Sequence, residues 1–371
     1  MFCTDCWDVV DDLRDKSTHR TGPVRRGFRA TAFGLGCLRA LHDRDLLRHV
    51  RVVSGISGGS LLAAMWAYGP ESFAEFDDSV TELLHQGLQW ELARRAGNPI
   101  SLARSAASTT RSLATWRPRH YTRTNSLLAA LEARDFGRKR IEEVTHPGLA
   151  TVISATDLET TNAVRFGSAV SSCSKYGRIT DPITVADAVS ASAAFPLAFP
   201  PISRTFTFAG RGGENHRQRV VLTDGGVYEN LELSPLFPGR SVYYTDHVYD
   251  LDYLISSDAG RGRTVKSSSG YMVRRLPRSF DITYEKTQDA GRTRIHEAGR
   301  TGQLRGFVHS YLGMRDANLP SYLADLVPRG AVIDYPTNLR RMRRADLDAI
   351  TIRGEQLTRV LLAQHCPELM A

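Results

Sequence analysis

Apolar positions change their spacing several times along the chain. Between Ala30 and Leu47, Phe33, Leu35, Leu38, Leu41 and Leu46 fall roughly on one helical face, which predicts a helix. Val50 to Val53 is a short apolar run and reads as a strand. Ser60 to Tyr68 reads as a helix stopped by Gly69-Pro70. Between strand and helix stands Gly55-Ile56-Ser57-Gly58-Gly59, so Ser57 sits at the hinge of an α/β unit. Residues 71–148 read as helices with polar joins. Strand signals return at LATVISA (149–155) and AVRF (163–166), separated by the turn-prone TDLETTN. The helix TVADAVSASAAF then ends against Pro196, with Pro200 and Pro201 beyond. RVVLT (219–223) leads into the turn Asp224-Gly225-Gly226, and YLISSDAG (253–260) holds another buried strand.

Residues 261–310 are basic and polar, and Leu339 to Leu362 reads helical. No internal repeat or low-complexity block appears. Strands alternating with helices predict a three-layer α/β/α sandwich around one mainly parallel sheet. Residues 1–26 show no strand-like run and are expected to be poorly ordered or divergent. The main domain is expected over 27–260, with 71–148 as a helical, interfacial or cap region. Residues 261–371 are expected to form a carboxyl-terminal helical extension packed on that domain.

Composition narrows this little. With 371 residues, 42% of them hydrophobic and 24% charged, the chain is an ordinary globular one. A formal net charge of +8, carried almost wholly by arginine, favours anionic partners: lipid headgroups, nucleic acid or acidic substrates. Arg104, Arg111, Arg117, Arg119 and Arg123 interleave with Trp116 and Tyr121. That stretch reads either as a solvated helical face followed by a loop or as a segment lying on a membrane surface. The five cysteines, Cys3, Cys6, Cys37, Cys173 and Cys366, are odd in number and scattered, against a disulfide framework. Cys3 and Cys6 have CxxC spacing but no second pair to complete a zinc site. The amino terminus lacks the apolar stretch of a signal peptide, and no run approaches a bilayer span. A cytoplasmic protein with peripheral membrane contact is the expectation.

The glycines around Ser57 pose the chemical question. A Walker loop needs a lysine that is absent here, and Gly55 to Ser60 does not supply GxGxxG, so neither phosphate-binding pattern fits. Gly55-Ile56-Ser57-Gly58-Gly59 does fit GxSxG, the sharp strand-to-helix turn that projects a serine nucleophile. The helix start after Ser57 offers free N–H groups and a positive dipole end to a developing oxyanion. For the base, His247, His296, His309 and His365 all lie downstream, as an α/β-hydrolase triad would require. None sits on a convincing strand-end loop. Asp224, which ends a strand and opens a two-glycine turn, reads equally as a base or as a plain turn residue.

With GISGGS around Ser57 and the DGG turn at Asp224, the chain resembles the patatin-like phospholipases. ADAVSASAAFPLAFPPI (186–202), LTDGGVYENLEL (222–233), LISSDAG (254–260) and GFRATAFGLGCLRAL (27–41) resemble further segments of that family. The resemblance implies a Ser–Asp dyad without histidine: Ser57 attacks an ester carbonyl, Asp224 takes its proton, and an acyl-enzyme forms. It places Gly27, Arg29 and Gly58 at the oxyanion hole and makes Gly55, Gly59, Gly225 and Gly226 motif residues. It implies a lipid or phospholipid partner, contact with an anionic membrane, no nucleic acid, and neither metal nor organic cofactor. The family's glycine-rich oxyanion loop reads Arg25-Arg26-Gly27-Phe28-Arg29-Ala30 here, and only Gly27 and Arg29 carry over. A second reading follows from that departure: a catalytically silent lipid-binding or scaffold protein on the same fold.

Overall fold

The computed structural model describes residues 27–115, 122–196, 199–210, 212–229, 231–262, 272–319 and 323–370. The expected helix forms as α1 (Phe28–His42), with Phe28, Ala32, Phe33 and Leu35 fully buried. Strand β1 (Val52–Gly55) and helix α2 (Gly58–Tyr68) build the strand–turn–helix unit around Ser57. Every residue of α2 except Gly59 is buried. A helix that is apolar on all sides belongs in the core, and α2 is placed there.

Helices α3 (Phe73–Gln86), α4 (Gln89–Ala96), α5 (Pro99–Thr115), α6 (Arg123–Glu132) and α7 (Asp135–Arg138) separate β1 from β2 (Ala150–Asp157). Helix α6 starts cleanly because Thr122 and Asn125 form a reciprocal cap. Thr124 N–H donates to Thr122 Oγ1 at 3.3 Å, and Thr122 N–H donates to Asn125 Oδ1 at 2.7 Å. Trp116, Arg117, Arg119 and Tyr121 lie outside the described residues, as do residues 1–26.

The sheet departs from the expected mainly parallel one. β1 runs parallel to β2, with Val52 opposite Ala150 and Gly55 opposite Ile153. Every other pairing in this seven-stranded sheet is antiparallel. β3 (Ala163–Gly167) returns along β2, followed by β4 (Ser172–Cys173) and β5 (Gly177–Ile179). Helix α8 (Val185–Ser192) intervenes before the long hairpin of β6 (Ile202–Ala209) and β7 (Asn215–Asp224). β7 then pairs with the far end of β2, Ala155 opposite Asp224, so β2 to β7 close into a barrel-like ring. The reason is connection length. A turn as short as TDLETTN cannot carry a crossover, so its flanking strands must pair antiparallel. Burial hid this in the pattern, because β2 and β3 are covered on both faces and lose the polar alternation of a half-exposed strand.

β8 (Tyr253–Asp258) and β9 (Gly306–Tyr311) form a separate parallel pair, connected through α9 (Met272–Arg300). After α10 (Arg329–Val332), helix α11 (Arg344–His365) crosses α1 at very close range. A β-carbon on Gly36 would lie 1.9 Å from the Thr351 carbonyl oxygen, and one on Gly354 would lie 2.4 Å from that of Phe33. Buried Arg353 ties α11 to the chain after β9. Its guanidinium donates to the carbonyls of Leu312, Met314 and Val327 at 3.0, 2.5 and 2.7 Å, and pairs with Asp316 at 2.9 Å. Gly36→Ala should therefore destabilise the protein by about 1–3 kcal/mol through overpacking. The check is a urea titration in which the midpoint falls and the slope stays fixed; an unchanged midpoint would contradict the close crossing.

Candidate active site

Ser57 occupies the turn between β1 and α2 with φ 52° and ψ −125°, a conformation few non-glycine residues adopt. Its neighbours explain how the chain tolerates this. A β-carbon on Gly55 would lie 2.8 Å from the Gly59 carbonyl oxygen, and one on Gly58 would lie 2.5 Å from that of Gly27. Gly59, by contrast, has open space where a β-carbon would go. The turn is pinned by hydrogen bonds: Ser57 N–H donates to Ser192 Oγ at 3.0 Å, and Ser60 Oγ donates to the Ser57 carbonyl at 2.6 Å. Thr31 Oγ1 donates to the Gly58 carbonyl at 3.0 Å, fixing α1 against the same turn. The Gly58 amide opens α2 and has no acceptor among the described residues, and Gly58 lines a cavity at the positive end of the helix dipole.

That cavity measures about 460 Å³, within the range of small-molecule sites. Ser57, Gly58 and Gly27 line it beside an apolar wall that includes Leu61, Leu92, Leu127, Leu131, Val189 and Phe199. Among the described residues, the polar side chains on the lining besides Ser57 are Thr31, Gln89, Arg123, Thr337, Asn338 and Arg340. A long apolar chain suits such a lining.

Asp224 is buried at the end of β7. Its Oδ1 accepts the Gly226 N–H at 2.7 Å, its own N–H donates to the Ala194 carbonyl at 3.1 Å, and its carbonyl accepts Thr156 Oγ1 at 3.0 Å. Gly225 is obligatory there, since a β-carbon would lie 2.3 Å from the Ser154 carbonyl and 2.8 Å from Ile56 Cγ2. The aspartate turn thus packs directly on the residue before Ser57. Asp224 itself does not line the cavity.

Gly27 packs on Asn338, where a β-carbon would lie 2.5 Å from the carbonyl oxygen; Phe28 N–H donates to that oxygen at 3.1 Å. Arg29 is buried, and its side chain donates to the Tyr335 carbonyl at 3.0 Å. Its guanidinium thus anchors the segment leading to Asn338, and Arg29 is not among the residues lining the cavity. Arg25 and Arg26 lie outside the described residues. None of His247, His296, His309 and His365 lines the cavity beside Ser57. Burial pushes His247 down to about 3 and His309 down to about 4, so both stay neutral near pH 7. His296 and His365 pack on Phe307.

The sequence reading missed two features. One is the stretch 337–340, which forms part of the cavity wall; the Leu339 carbonyl accepts the amides of Leu88 and Gln89 where α4 begins. The other is Glu232, held at φ 51° and buried in the segment after the aspartate turn. Its Oε1 accepts hydrogen bonds from Ser154 Oγ on β2 and from Ser54 Oγ on β1, the latter at 3.2 Å. Burial raises this carboxyl from 4.5 to about 7, with Glu229 adding to the rise and Arg165 and the two serines opposing it. Because the folded value exceeds the ordinary one, the linked stability is full below pH 4.5 and is lost as pH rises through about 7. Glu232→Gln keeps the two serine bonds and should flatten this part of the stability–pH curve. Thermal midpoints from about pH 5.5 to about 8.5 would read it, bracketing the raised carboxyl at about 7. Parallel curves for wild type and variant would count against it.

The site thus joins a strained serine at a strand–helix turn, an apolar cavity beside it and an aspartate turn packed against the residue before the serine. The chain belongs to the patatin-like phospholipase family, whose model matches residues 26–237. Among solved structures, human GIVD cytosolic phospholipase A2 is similar in fold at 13% identity and a TM-score of 0.55, over 94% of this chain and 59% of that one. VipD from Legionella pneumophila aligns at 14% identity and a TM-score of 0.37, over 93% of this chain and 68% of that one. The chain therefore spans about three-fifths of the human protein's length. No curated protein matches this chain. Among the described residues no helix is long and apolar enough to cross a membrane.

Proposed function

We propose that the protein is a serine lipid acyl hydrolase that cuts carboxylic ester bonds of phospholipids or related lipids through a Ser57–Asp224 dyad. The observation that carries this is Ser57 itself, held at positive φ on the wall of an apolar cavity. In the reaction, Ser57 Oγ attacks the ester carbonyl carbon and its proton passes to Asp224. The tetrahedral oxyanion is held by the Gly58 amide and by amides near Gly27. Collapse breaks the bond to the alcohol oxygen, which leaves with the proton from Asp224. Water, giving a proton to Asp224, then attacks the acyl carbon; the bond to Ser57 Oγ breaks, Asp224 returns the proton to that oxygen, and the fatty acid leaves. A carboxylate is a weak base near neutrality, so rate depends heavily on dry placement and on the oxyanion donors.

The finer reading of partners follows: a lipid substrate met at a membrane surface by a protein bound peripherally. Fatty-acid release from phospholipid and lysophospholipid panels, graded by acyl length, tests the activity. Turnover that rises with chain length until the cavity is filled is the expected result. No release by folded wild-type protein would favour the silent lipid-binding alternative.

A further inference from the structure

Helix α4 has two unlike flanks beside its cavity-lining stripe of Gln89, Leu92, Ala93 and Ala96. On one flank Glu91 is neutralised by Arg95 at 2.9 Å and Arg134 at 3.1 Å. On the other stand Trp90 and Arg94, one turn apart, next to the exposed lining residues Gln89 and Ala93. Trp90 is 85% exposed, the highest value among the large apolar side chains described. At the start of α5, just beyond the end of α4, Ile100 and Leu102 are also exposed, at 62% and 57%.

Among the described residues, the charged side chains that line the cavity are both arginines. Arg123 and Arg340 line the cavity and are exposed, and Arg341 follows beside Gly87. Among the described residues, none of Arg94, Arg104, Arg123, Arg340 and Arg341 has a carboxylate within 4.0 Å. A monomer gains nothing by displaying bare tryptophan and unpaired arginines around an apolar opening. An aromatic side chain at the lipid boundary with arginines on anionic headgroups would use both.

We infer that the Trp90–Arg94 flank of α4, the start of α5 and the arginines around the cavity mouth form the face that docks the protein on an anionic bilayer. The cavity mouth then opens onto the lipid surface. This builds on the lipid-hydrolase reading, but the docking can be measured without turnover. It also extends the expected membrane contact from the arginine-rich stretch 104–123 to α4 and to Arg340 and Arg341.

The test is cosedimentation of the full chain with phosphatidylcholine vesicles and with vesicles about one-third phosphatidylglycerol, at low and high salt. Wild type should bind the anionic vesicles and lose most of that binding at high salt. Trp90→Ser and Arg94→Glu should each lower the partition constant about tenfold, while hydrolysis of a soluble short-chain ester is unchanged. Tyr243→Ser, in the other exposed apolar cluster of Val242, Tyr243 and Tyr244, should bind as wild type does. Ser57→Ala should bind normally; wild-type protein that binds but does not hydrolyse lipid would sink the enzymatic reading and leave the docking face standing. The docking proposal is overturned by equal binding to both vesicle types or none to either. It is overturned equally if Trp90→Ser and Arg94→Glu leave binding intact, or if the face mediates a dimer that Trp90→Ser dissociates.

Discussion

Ser57→Ala is expected to reduce lipid-ester turnover by at least about 10³-fold, to the level of the buffer. Among the described residues no other hydroxyl shares the features of Ser57: a positive φ, the amino-terminal end of a buried helix and a wall of the apolar cavity. The backbone amide, not the hydroxyl, makes the bond to Ser192, so the turn survives the substitution. Folding should be little affected, and a urea midpoint within error of wild type would establish that. Substantial residual turnover by the folded variant would mean that the nucleophile lies elsewhere.

Asp224→Asn should lower kcat by about 10²–10⁴-fold with a much smaller change in KM. Asparagine keeps the shape of the side chain, and its carbonyl oxygen can still accept the Gly226 amide that holds the turn. What it loses is the capacity to take the serine proton. Because the two residues act as a unit, Ser57→Ala with Asp224→Asn should be no worse than Ser57→Ala alone. Steady-state kinetics on one soluble ester can measure all three variants. A kcat for Asp224→Asn within about twofold of wild type would reduce Asp224 to a turn residue.

The Ser57 elbow was legible because local chemistry dictates it: a strand, small residues where the backbone doubles back, and an apolar helix. Gly55 and Gly58 are glycines for reasons the coordinates make steric, whereas Gly59, equally prominent in the motif, meets nothing. Asp224 was legible as a strand-end carboxylate, and its turn does pack on Ile56. Strand direction was not. Buried β2 and β3 look alike whether parallel or antiparallel, and the closure of β7 onto β2 joins residues far apart in the chain. Strand β6 was passed over, although Ile202, Phe206 and Phe208 alternate with less buried neighbours.

Glu232 illustrates the other limit. A glutamate in a loop-like stretch reads as surface, and only the convergence of Ser54 and Ser154 on it shows a buried carboxyl joining β1 and β2 to the segment after Asp224. Asn338 and Arg340 reach the cavity wall from more than a hundred residues beyond the family's matched segment, through contacts with Gly27 and the start of α4. No periodicity announces a contact of that kind. Arg29 belongs with them: its side chain donates to the Tyr335 carbonyl, in the stretch that leads to Asn338.

The most direct single measurement is covalent labelling by a fluorophosphonate, which reports an activated serine without requiring the natural substrate. Folded wild-type protein should label, Ser57→Ala should not, and Asp224→Asn should label far more slowly. Absence of labelling in folded wild type, or labelling that persists in Ser57→Ala, would contradict a Ser57-centred hydrolase.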